Sequence, residues 1–153
     1  MILKERHFPG VRPFPKVRDL MLALRAREVL LGVATSASGQ DSARLQDKAH
    51  VRDLMDIAVS SDDAEESKPD PDIVVSALRR TGLGAPRVPM IGDTQYDVEA
   101  ATRAGIACIA VRSRGWEDLA LAGAIAVYED VAKILQRLDE EPLATWLRGT
   151  RAS

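Results

Sequence analysis

The stretch MIGDTQYDVEAA, residues 90–101, reads as a strand, a tight turn and the start of a helix. It opens inside a short apolar run, residues 88–91, and passes through Gly92, Asp93 and Thr94. An Ala-rich helical pattern then covers residues 96–104 and stops at Gly105, a residue suited to a left-handed helix end. Gly92 is expected to let the backbone turn tightly where the strand stops. Asp93 then stands at the strand tip, and Asp97 follows at a spacing that can aim a second carboxylate at the same cavity. Magnesium accepts one or two carboxylates, completed by water and substrate oxygens. Thr94 and Asp97 also have the spacing of a helix capping pair, which leaves Asp93 unexplained.

Outward from this stretch the same alternation repeats. Short apolar runs occupy residues 29–34, 57–60, 88–91, 106–111 and 124–127. None alternates with polar residues, as a half-exposed strand would, so each suits a parallel strand covered on both faces. Helical patterns fill the intervals at residues 17–26, 40–50, 72–80, 96–104 and 130–139. The first places Val17, Leu20, Met21 and Leu24 on one stripe. Strand–helix alternation of this kind predicts a three-layer α/β sandwich around a mainly parallel sheet.

In such a sheet ligands bind beyond the carboxyl ends of the strands. Thr35 and Ser36 follow the first run, Asp62, Asp63 and then Lys68 the second, and Asp93 the third. Hydroxyls and an ammonium hold phosphate oxygens, while carboxylates hold a metal, so this set suits a phosphoryl group beside magnesium. Pro69 and Pro71 stiffen the approach to Lys68, although a lone Lys is more often a solvated surface charge. Cys108, inside an apolar run, reads as a core thiol.

Composition narrows the field further. The 153 residues are the size of one domain, and 21 Lys+Arg against 23 Asp+Glu leave a net charge of −2. That balance, with 4% aromatics, argues against nucleic acid as a partner. One cysteine excludes an internal disulfide and fits a reducing compartment. The apolar runs are too short to span a bilayer, and the opening MILKERHFPG lacks the apolar core of a secretory signal. The expectation is a cytoplasmic protein that makes no membrane contact.

Taken together, the strings resemble the haloacid dehalogenase-like hydrolase superfamily, in its phosphoglycolate phosphatase-like branch. Leu-Gly-Val-Ala-Thr-Ser at 31–36 resembles its second motif, Lys-Pro-Asp-Pro-Asp at 68–72 its third, and Gly-Asp-Thr with Asp97 its fourth. The resemblance implies Thr35 and Ser36 as phosphate-binding hydroxyls and Lys68 as the charge-balancing lysine. It makes Asp93 the main metal ligand, with Asp97 in support, and a small phosphorylated metabolite the substrate. It also divides the chain into an irregular start at 1–12, a core at 13–140 and a tail at 141–153. A phosphoacceptor receiver domain uses similar residue types, but its acidic pair precedes its hydroxyl and lysine, the reverse of the order here.

The resemblance also implies an Asp-x-Asp strand in the middle of the sheet. Its first Asp attacks phosphorus, and its second protonates the leaving group and later activates water. No apolar run in this sequence ends in that pattern, nor is there room before Pro13 for it and the helical cap that follows. By resemblance the chain corresponds to the C-terminal two-thirds of such an enzyme, lacking its first central strand. The expectation is a chain inactive alone, with weak magnesium affinity, or a non-catalytic interaction module. Three arrangements would close the sheet. Its neighbours meet, residues 1–3 fill the gap poorly, or another chain, including a second copy, supplies the strand.

Overall fold

The computed structural model describes residues 1–5, 16–35, 38–48, 50–60, 73–112 and 123–149. Six strands form one sheet: β1 (Ile2–Glu5), β2 (Gly32–Thr35), β3 (Ile57–Val59), β4 (Met90–Gly92), β5 (Cys108–Val111) and β6 (Ala126–Tyr128). Their order is β3-β2-β1-β4-β5-β6, and every pairing is parallel. The helices are α1 (Val17–Ala26), α2 (Gly39–Lys48), α3 (Ile73–Thr81), α4 (Gln95–Ala104), α5 (Val131–Gln136) and α6 (Leu143–Gly149).

Side chains alternate across the strands into two separate cores. Ile91, Ile109 and Val111 enter one with α1, α5 and α6, through Leu20, Leu24, Ile134 and Leu143. Met90, Cys108 and Ala110 enter the other with α3 and α4, through Val74, Ala77, Val98 and Ala101. Both faces of the sheet are therefore covered, which is why its strands read as unbroken apolar runs. The α1 stripe of Val17, Leu20, Met21 and Leu24 is buried as its spacing predicts. Gly105 closes α4 with a φ of 76°, the left-handed stop. Among the described residues no helix is long and apolar enough to cross a membrane.

Two stretches differ from expectation. Within the start expected to be irregular, Ile2–Glu5 is the central strand, so the second of the three arrangements is the one observed. Its register runs four residues along β2, from Ile2 opposite Gly32 to Glu5 opposite Thr35, but only two along β4. Within the expected tail, α6 sends Leu143 and Leu147 into the core.

Candidate active site

The strand order reverses direction between β1 and β4, the chain running outward to β2 and β3 on one side and to β5 and β6 on the other. At such a switch point the adjoining loops part and leave a crevice beyond the carboxyl ends. Thr35 ends β2, and Asp93 follows β4. Neighbouring strands lie about 4.8 Å apart, so the two positions flank β1 at roughly 10 Å.

Buried polarity concentrates at this edge. Six polar side chains are buried among the described residues, and four of them, Thr35, Ser60, Thr94 and Asp97, sit where β2, β3 and β4 end. Burying polar groups is costly unless they are paired, and Thr94 and Asp97 are paired through the first turn of α4. Ser60 is the member that sequence reasoning passed over, because a serine closing an apolar run looks like an ordinary strand end.

The Gly92–Asp97 segment is folded around one carboxylate. Oδ2 of Asp97 accepts the backbone N–H of Asp93 at 2.9 Å and that of Thr94 at 3.2 Å. Thr94 Oγ1 in turn accepts the N–H of Asp97 at 3.2 Å, completing a capping box. Gly92 is required by space here: a Cβ on it would lie 2.5 Å from Asp97 Cβ. Tight turning, the sequence expectation, is not what demands it. Asp97 is 2% exposed, whereas Asp93 is half-buried.

Cys108 lies beside this segment, 2% exposed. Burial, with the Asp97 carboxylate as a smaller contributor, pushes its thiol up to about 12. A thiol held protonated in this way is a core side chain and a poor nucleophile. Ser36, Lys68, Asp62 and Asp63 lie outside the described residues.

Magnesium fits what is present, through few donors. Half-buried Asp93 supplies one carboxylate, and among the described residues no three His, Cys, Asp or Glu side chains cluster as a metal centre. One carboxylate with waters and phosphate oxygens is within what this ion accepts. Apart from the edge, a hollow of about 460 Å³ is lined by Arg18, Asp47, His50, Arg52 and Asp53. Its two arginines are paired with Asp53 and Asp47, and the Arg18 hydrogen bond holds the Asp53 carboxyl below its ordinary value.

The all-parallel doubly wound sheet, with acidic and hydroxyl groups beyond the carboxyl ends of its strands, places the chain among the open α/β proteins. Residues 2–111 match the haloacid dehalogenase-like hydrolase family, and the chain belongs to it. A phosphoglycolate phosphatase of Rhodospirillum rubrum is 34% identical over 128 residues, covering 82% of this chain and 52% of that protein. One from Escherichia coli is 29% identical over 96 residues, covering 63% and 38%. The chain thus spans about half the length, or less, of these curated relatives. Among solved structures, a hydrolase from Pseudomonas syringae aligns with a TM-score of 0.73 at 28% identity, covering 85% of this chain and 60% of that one. CbbY from Rhodobacter sphaeroides in complex with phosphate gives 0.68 at 27% identity, covering 79% and 55%.

Proposed function

We propose that this chain is the phosphate-binding core of a phosphomonoester hydrolase that takes a small phosphorylated metabolite. The names of its relatives point to a compound of the size of phosphoglycolate. The buried polar side chains along the carboxyl edge of β2, β3 and β4, with half-buried Asp93 beside Thr94 and Asp97, carry the reading. In it the Thr35 and Ser36 hydroxyls donate to phosphate oxygens, and the Lys68 ammonium offsets their charge. Asp93 holds magnesium, which when bound draws charge from the phosphate.

Attack on phosphorus is a separate matter. The central strand β1 reads Ile-Leu-Lys-Glu and carries no aspartate. In this reading these residues bind and orient a phosphate, and attack on phosphorus calls for an Asp-x-Asp strand beside them. Magnesium-dependent binding of inorganic phosphate, followed by phosphorus NMR line broadening, tests the reading. Binding is expected in the millimolar range, lost in Asp93→Asn and in Lys68→Met, and kept in the surface control Arg44→Ala. Binding that ignores both substitutions, or no binding at all, would overturn it.

A further inference from the structure

We propose that Arg80 guards the β3 edge of the sheet and holds off the addition of a strand from a second copy of this chain. The inference stands apart from the phosphate-binding reading and uses none of its residues. Among the described residues β3 is the last strand on its side of the sheet, with β2 as its neighbour. A strand in that position presents backbone donors and acceptors that another chain can pair with. Ile57 donates its N–H to Leu31 O at 3.2 Å, so residue 57 faces β2 and residue 58 faces outward. Ala58 is the middle of this three-residue strand and is exposed, so its peptide groups are the ones a partner would use. Arg80 meets that acceptor. Val74 and Ala77 of α3 share a core with Val59, and one turn beyond Ala77 the Arg80 Nη1 donates to Ala58 O at 3.1 Å.

The edge is self-complementary. In an antiparallel pair centred on Ala58, two copies would exchange N–H and C=O at that residue, whose methyl side chain permits close approach. The guanidinium of Arg80 opposes this pairing in two ways. It engages the outward carbonyl, and it stands in the space that an incoming strand about 4.8 Å away would fill. To pair, both Arg80 side chains would have to leave their carbonyls and meet as like charges along the seam.

Sedimentation equilibrium of the intact chain, with hydrogen exchange at the Ala58 amide, tests the guard. Arg80→Ala and Arg80→Gln should each strengthen self-association about tenfold or more, with Ala58 exchange slowing as concentration rises. Arg79→Ala, in the same turn of α3 and also exposed, should behave as the parent does. Adding Ala58→Pro to either Arg80 variant should restore parent behaviour, because proline removes the outward N–H and is tolerated on an edge strand. Arg80 variants that associate no more than the parent overturn the inference. So does association that leaves Ala58 exchange fast or that survives Ala58→Pro, since the contact then lies elsewhere. A parent that already protects Ala58 by pairing there overturns it too. Should Arg80→Ala fail to fold, Arg80→Gln decides alone, because it keeps most of the aliphatic stem.

Discussion

Gly92 and Asp97 compete for one volume, and Cys108 lies against the same segment. Gly92→Ala must displace either the end of β4 or the first turn of α4, since its methyl would stand 2.5 Å from Asp97 Cβ. Overpacking of this kind costs about 1–3 kcal/mol, and the urea midpoint of the variant should fall accordingly. An unchanged midpoint would show that the loop yields freely. Cys108 supplies a pH-dependent counterpart. Its folded value of about 12 stands above the ordinary 9.0, so between those values the folded chain keeps a proton that the unfolded chain releases. The thiol's contribution is whole below about pH 9 and drains away as pH climbs toward 12. Cys108→Ala should therefore flatten the alkaline decline of stability across that window. At about pH 8 a thiol reagent should also react at least a hundredfold more slowly with the folded than with the urea-unfolded parent. Equal rates would place the sulfur at the surface.

At the scale of elements, β1 is the test of the sheet. Ile2 is fully buried and stands in register with Gly32 on one side and Met90 on the other. Ile2→Ala should cost about 2–5 kcal/mol in chemical denaturation, the range for truncating a core aliphatic. A loss below about 0.5 kcal/mol, typical of a surface position, would show that this segment does not hold the centre of the sheet. Periodicity made α1 legible, because four apolar residues recur on one stripe. It made the strands legible but displaced: Val29, Leu31, Val88 and Ile106 are buried before their ladders begin at Gly32, Met90 and Cys108. Apolar runs report burial, and burial starts earlier than pairing does. The two elements that went unread are short. β1 offers two apolar residues followed by Lys4 and Glu5, not an apolar run. α6 shows a single buried pair, Leu143 and Leu147, too little for a helical period to stand out.

For the molecule as a whole, topology supplied what motifs alone left open. Following each apolar run to its carboxyl end leads to Thr35 at the end of β2 and Asp93 after β4, which the strand order puts on either side of β1. The pattern could not separate a capping Asp97 from a ligating one, because both uses demand the same spacing; the hydrogen bonds show the capping use. The same whole-molecule view governs activity. In the proposed reading Thr35, Lys68 and Asp93 hold and neutralise a phosphate rather than attack phosphorus, and β1 ends in Lys-Glu. Water at neutral pH is a weak nucleophile unless a base or a metal activates it. The 153-residue chain should therefore hydrolyse an aryl phosphate in magnesium no faster than its Asp93→Asn variant. Adding a peptide with a strand ending in Asp-x-Asp should raise turnover in the parent and leave Asp93→Asn silent, because both carboxylates are then required. Magnesium-dependent turnover by the lone chain, abolished in Asp93→Asn, would mean that a nucleophile is present after all. Asp62→Asn and Asp63→Asn are the variants that would then locate it, since both residues follow the strand next to Thr35 in the sheet order.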